Sequence, residues 1–136
     1  MTVETGRLRR SDRLRESRDF KRVAARGDRY ASNSFVMLVA PSGPGSKSRL
    51  RLGVTASKRV GNSVVRNRVK RSIRGWFRVS TSELTNLKPS DLGLDVVVIA
   101  RKSAADMAPL AVVDELRALV ARRAKSLAKS AEAECA

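Results

Sequence analysis

The hydrophobic positions along the chain change period several times, and those changes mark out its elements. After a polar, arginine-rich stretch at residues 1–12, Ser17-Arg18-Asp19-Phe20 opens a short helix. Ser17 is its expected N-cap, and Phe20, Val23 and Ala24 form its apolar face. Gly27 ends it as a C′ residue does. The run from Ser34 to Ala40 (S-F-V-M-L-V-A) predicts a strand, closed by the turn-formers Pro41-Ser42-Gly43-Pro44-Gly45. From Leu50 the period is two: Leu50, Leu52, Val54 and Ala56 alternate with Arg51, Gly53, Thr55 and Ser57, which marks a half-buried strand with a polar outer face. A helical period follows from about Asn62 to Arg78, with Val65, Val69, Ile73, Trp76 and Phe77 on one face. Asn67, Lys70, Arg71, Arg74 and Arg78 fall opposite, while Arg66 and Arg68 flank the seam. Asp95 to Ala100 (D-V-V-V-I-A) is a continuous apolar run, as in a strand covered on both sides. Val113, Leu116, Val120, Ala124 and Leu127 draw a last amphipathic helix. No repeat and no second domain appear. Helices interleaved with a few strands predict one α+β, two-layer domain over residues 13–128, with a basic flexible arm at 1–12 and a flexible tail at 129–136.

Charge changes the picture more than hydrophobicity does. The 136 residues carry 29 Lys and Arg against 13 Asp and Glu, a net of +16. A domain this basic is built for a polyanion or an anionic membrane surface. No apolar run approaches the ~20 residues of a spanning helix, and no apolar segment follows the N-terminal arginines as in a signal peptide. The excess is not spread evenly. Residues 1–28 hold nine basic and five acidic side chains, and residues 83–136 hold eight of each. Residues 29–82 hold twelve basic side chains and no acid. A solvated surface mixes its signs, so this segment reads as a binding face rather than a soluble one. It also offers no carboxylates for a hard metal ion.

Absences bound the chemistry. There is no histidine, the usual general base near neutral pH. The single cysteine, Cys135, cannot form an intrachain disulfide and receives no role, which fits a reducing, cytoplasmic setting. The chemistry-bearing stretch is Lys58 to Arg74. Guanidinium groups bind phosphate through a planar fork, and set at i, i+4 and i+8 on one helix they can follow a sugar-phosphate backbone. Asn67 among them can donate and accept, and the amides near Gly61 and Asn62 form a helix N-terminal anion site. Phe20 and Tyr30 are each readable as core or as a stacking platform; Trp76 and Phe77 lie on the core stripe.

The run L-G-V-T-A-S-K-R-V-G-N-S-V-V-R-N-R-V-K-R-S-I-R resembles the signature of the bacterial ribonuclease P protein component, including an R-N-R element at Arg66-Asn67-Arg68. R-L-R-E-S-R-D-F-K-R-V at 13–23 is similar to that family's opening helix, and D-V-V-V-I-A-R-K-S-A-A at 95–105 to its last strand and following turn. The resemblance implies a small two-layer α/β sandwich like the second domain of a small-subunit ribosomal protein. Its sheet has about four strands, and a left-handed crossover runs through the basic helix, against the usual rule. It implies that Lys58, Arg59, Arg66, Asn67, Arg68, Lys70, Arg71 and Arg74 face a large catalytic RNA subunit. It also implies that Phe20 belongs to a cleft for the single-stranded 5′ leader of precursor tRNA. Ala24 and Leu38 stand where relatives often carry aromatics, so leader grip leans more on charge.

The expected function is therefore the RNA-binding protein subunit of ribonuclease P, an endonuclease that removes the 5′ leader from precursor tRNA. No residue of this chain is expected to be catalytic. No cofactor is expected on the protein, with Mg²⁺ held by the RNA subunit. The expected partners are that RNA and precursor tRNA, with no membrane and no obligate protein partner. The alternative is a ribosomal or other structural RNA-binding protein of the same fold. A DNA-binding regulator is disfavoured, because the basic helix follows a strand and a Gly-Asn turn rather than a helix-turn-helix partner.

Overall fold

A computed structural model describes residues 13–14, 17–42, 50–85 and 93–135, with side chains placed as far as 128. The arm at 1–12, most of the turn after Ser42 and the side chain of Cys135 lie outside the described residues. The chain order is α1 (Ser17–Arg26), β1 (Asp28–Ala31), β2 (Phe35–Pro41), β3 (Leu50–Ala56), α2 (Ser63–Val79), α3 (Thr81–Thr85), β4 (Leu94–Ala100), a 3-10 turn (Lys102–Asp106) and α4 (Pro109–Cys135).

The four strands form one mixed sheet in the order β1-β2-β4-β3. β1 pairs antiparallel with β2 and β2 antiparallel with β4, while β3 lies parallel to β4. A parallel pair needs a crossover, and α2 with α3 supplies it. Alternation along the strands then decides which residues face which layer. Phe35, Met37 and Val39 of β2, Leu94, Val96 and Val98 of β4, and Leu52 and Ala56 of β3 point to one face. There they meet Val69, Ile73, Trp76 and Phe77 of α2 and Val112, Leu116, Leu119 and Val120 of α4. This is the main core, and the largest side chain in it, Trp76, is inaccessible to solvent. The side chains that the sequence left between core and stacking resolve here in part. Tyr30 is core, with its hydroxyl 3.4 Å from buried Arg123.

The other face of the sheet carries Val36, Leu38, Ala40 and Val97, with Leu14, Phe20 and Val23 packed on them. α1 covers only part of this face, toward Pro41, Asp95 and Arg51. Beyond it a row across three strands is less covered: Ala31 and Ile99 are half-buried and Thr55 is exposed. Gly27 N–H donates to the Val23 carbonyl at 2.7 Å, which closes α1. At the other end of the chain the helix does not stop at residue 128. α4 runs on to Cys135, so the segment read as a tail continues the helix, as its alanine and glutamate content favours.

Candidate RNA interface

The basic helix is aimed by the turn before it. Val60 is buried and its N–H donates to the Ser57 carbonyl at 3.0 Å, which folds Lys58 and Arg59 outward as exposed side chains. Gly61 follows at φ +153, where a Cβ would lie 2.9 Å from Cβ of Val65. A side chain is disfavoured there on both counts. Asn62 then caps α2, its Oδ1 accepting from Val65 N–H at 3.0 Å. The cap takes up the Val65 donor of the helix N-terminus.

Along α2 the residues of the basic run divide into three sides. Asn67 and Arg71 are exposed on the outward face. Arg66, Lys70 and Arg74 form a half-buried stripe along one flank; the Arg66 Nε is buried with no hydrogen-bond partner. Arg68 lies on the opposite flank, exposed, with its guanidinium donating to the Ala105 carbonyl, so it ties α2 to the 3-10 turn. It remains available to a ligand through its other donors, but it also has a structural task. The Arg74 pKa is lowered by burial and, secondly, by the positive charge of Arg13.

An acid from outside the acid-free segment reaches into it. Asp95 of β4, fully buried, accepts from Arg51 of β3 at 2.9 and 2.8 Å, from Ser42 Oγ at 2.7 Å and from Arg22 of α1. Burial acts to raise the Asp95 pKa, but hydrogen bonds from Arg51, Ser42 and Arg22, with the Arg51 charge, bring it below the ordinary value. Arg51 is thus held within the fold rather than free on the basic face. A search for acids at i±4 misses this, because the partner is 44 residues away. Arg22 also donates to the Pro41 carbonyl at 2.8 Å. The cluster fixes α1 to the sheet.

Phe20 sits on the opposite side of the sheet from α2. Its ring lies over Gly53 of β3: a Cβ at Gly53 would be 2.8 Å from two ring carbons. The missing side chain is what leaves room for the ring against the strand. Phe20 is half-buried and, like Ala31 and Ile99, packs against the cluster under α1. The structure therefore places the sheet between Phe20 and the α2 residues of the basic run. Gly53, Asp95 and Arg22 were not singled out by sequence reasoning. Only the small residue at an outward position of β3 signalled any of them.

No helix of the described residues is long and apolar enough to cross a membrane. Among the described residues no three His, Cys, Asp or Glu side chains come together as a metal cage.

The family model described as Ribonuclease P matches residues 8–124. A ribonuclease P protein component of Shouchella clausii is 38% identical over 121 residues, covering 89% of this chain and 92% of that protein. One from Staphylococcus aureus is 34% identical over 109 residues, covering 80% and 86%. Among solved structures, the Staphylococcus aureus RNase P protein superposes with a TM-score of 0.67 at 33% identity, covering 80% of this chain and 92% of that one. The RNase P protein from Thermotoga maritima gives 0.64 at 30% identity, covering 81% and 96%. The matched span includes the basic helix, its Gly-Asn lead-in and the sheet beneath, and the chain belongs to the ribonuclease P protein family.

Proposed function

We propose that this chain binds the catalytic RNA subunit of ribonuclease P through α2 and its lead-in, and the 5′ leader of precursor tRNA through the cleft beside α1. Membership of the family makes it a component of an endoribonuclease that acts in tRNA processing; the assignment of each surface is the proposal. The observation that carries it is the set of cations on α2 and its lead-in (Lys58, Arg59, Arg66, Lys70, Arg71, Arg74), none of which has an acidic partner among the described residues. A helix anchored by Trp76 and Ile73 presents these groups at fixed spacing, and Asn67 adds a donor and acceptor among them. Neutralising RNA phosphates releases their condensed counterions, which supplies affinity without reading sequence.

The role of the chain is then positional. α2 and the Lys58–Arg59 turn screen repulsion between two RNAs. Phe20, with Ala31, Ile99 and Thr55, offers the leader an apolar wall on which a base can stack, so that the scissile bond is oriented rather than merely tethered. On this reading Mg²⁺ belongs to the RNA subunit, where it would activate the attacking water. Such a particle works where tRNA precursors are made, the cytoplasm. The test is cleavage of precursor tRNA by the cognate RNA subunit at low Mg²⁺, with and without the chain. Strong stimulation is expected. Binding of structured RNA without stimulation would instead favour a purely structural RNA-binding protein.

A further inference from the structure

The strand register lines up four positions across the sheet on the face that carries α1. Arg29 of β1 lies opposite Leu38 of β2, Leu38 opposite Val97 of β4, and Val97 opposite Gly53 of β3. Residues opposite one another project from the same face of a sheet. Leu38 and Val97 are buried in the cluster under α1, and the Phe20 ring sits against Gly53. One end of the row is therefore an aromatic ring and the other a guanidinium group. Three strand spacings separate the two ends, about 14 Å, a span for a few nucleotides of single strand.

The burial along β1 gives Arg29 the same direction. Tyr30 is in the main core and Ala31 packs against the cluster under α1, so Arg29, two residues from Ala31, shares the α1 face. Arg29 is exposed and has no hydrogen-bond or ion-pair partner among the described residues. The neighbouring acid, Asp28, is engaged by Arg123 from the opposite layer. Ser32 N–H donates inward to the Phe35 carbonyl at 2.8 Å, so alternation along the antiparallel pair turns the backbone groups of Ala31 and Arg29 to the outer edge. Arg122 of α4 reaches that edge and donates to the Ala31 carbonyl at 2.7 Å. The β1 edge thus gathers arginines from two elements, and no described carboxylate pairs with either. It is the edge of the sheet opposite β3, on the face turned away from α2. A partnerless cation in one row with a ring suits a single-stranded nucleic acid, whose bases stack on rings and whose phosphates meet cations.

We propose that Arg29 binds a phosphate of the 5′ leader at the β1 edge, so that the leader crosses the strands from Phe20 toward β1. The inference rests on the reading of the Phe20 face as the leader surface and deepens it, because it gives the leader a direction and a second anchor. Leaders too short to span the row do not reach Arg29. The grip of the chain therefore grows with leader length up to that span, and Arg122 adds to the positive field at its far end.

The test uses the full chain assembled with its cognate RNA subunit, with Arg29→Met and Arg29→Lys, and precursor tRNAs whose leaders are one nucleotide or several nucleotides long. Arg29→Met should melt with the parent, since the side chain is exposed and partnerless. Its affinity for the long leader should fall about fivefold, the scale of an exposed ion pair. Affinity for the one-nucleotide leader, for mature tRNA and for the RNA subunit should stay within twofold of the parent. The plot of log affinity against log salt for the long leader should flatten by about 0.7, the share of one single-strand phosphate. Arg29→Lys should restore that slope, because the charge remains. Three results overturn the site: equal losses for both leader lengths, an unchanged salt slope, or a melting point that falls together with affinity. Phe20→Ala run alongside keeps the failures apart. If it weakens the long leader while Arg29→Met does not, only this site is wrong; if neither does, the leader reading of the α1 face itself fails.

Discussion

Replacing the buried carboxylate of β4 by its neutral isostere, Asp95→Asn, measures what charge contributes where α1 is fixed to the sheet. Asp95 has no solvent exposure and gathers donors from three places in the chain, Arg22, Ser42 and Arg51. Removing its charge leaves two guanidinium groups facing each other. Breaking a fully buried pair costs about 3–5 kcal/mol. Here the Arg22 and Arg51 side chains keep 23% and 20% of their surface exposed and can turn toward water, so the lower end applies, about 2–3 kcal/mol. For a domain of this size that is a fall in melting temperature of roughly 8–15 °C. The pH dependence has a definite sign. A carboxyl whose folded pKa lies below its unfolded value stabilises above the unfolded value, and that contribution is lost as pH falls through the folded one. The unfolded value is 3.8 and the Asp95 pKa is lowered from it. The parent should therefore lose this stability only below about pH 4. The gap between parent and Asp95→Asn should be full at pH 7 and close in acid. Thermal melts of both proteins between pH 7 and pH 2.5 decide it. Equal melting temperatures at pH 7, or a gap that stays constant into acid, would refute the assignment of Asp95 as a charged clamp.

Phe20→Ala should weaken precursor tRNA carrying a leader by about 1–3 kcal/mol and leave mature tRNA and the RNA subunit nearly untouched. A large fall in melting temperature with equal loss for every RNA would make Phe20 structural only. Gly53→Ala should show the same leader-selective loss, because its Cβ would collide with the Phe20 ring; unchanged leader affinity would separate the ring from the cleft. Log affinity for the RNA subunit should fall linearly with log salt, and Arg71→Ala should flatten the slope by about one unit or less; an unchanged slope places the contact elsewhere. The chain freed of RNA should show no nuclease activity with any divalent metal, checked on labelled precursor tRNA.

The elements with a strong period were legible in the sequence. α2, β3 and β4 stand within one or two residues of their expected ends, because their apolar residues have one packing solution each. β1 was missed: its four residues, Asp28 to Ala31, are too short to show alternation and form a strand only by pairing with β2. α3 was missed for the same reason of length, and the turn after β4 entered only through the family resemblance of residues 95–105. Within the site, the identity of the cations was legible and their orientation was not. Arg66, Lys70 and Arg74 differ from Asn67 and Arg71 by how far each lies around α2 from the core direction, which depends on what packs beside the helix. The Asp95 cluster was invisible to local reasoning, since it joins α1, β3 and β4 across sequence separations of 73 and 44 residues.

The pairing of acids explains how so basic a chain keeps a fold while leaving its cations open. Four of the described carboxylates tie one part of the fold to another. Asp95 holds α1 and β3, Asp28 of β1 takes buried Arg123 of α4, and Glu115 of α4 accepts from Ser32 Oγ at 2.6 Å and Ser34 N–H at 2.9 Å at the start of β2. Glu83 of α3 pairs with Arg117 of α4 at 3.1 Å. Each tie links elements around the sheet, and none reaches the stripe on α2. Buried ties are screened little by salt, whereas the proposed RNA contacts of α2 would act through counterions and be screened strongly. The same kind of group is therefore used in two regimes. If α2 holds RNA as proposed, salt that strips the RNA away would leave the buried Asp95 tie in place, so affinity would be adjustable over a range of ionic strength in which the scaffold presenting it stays folded.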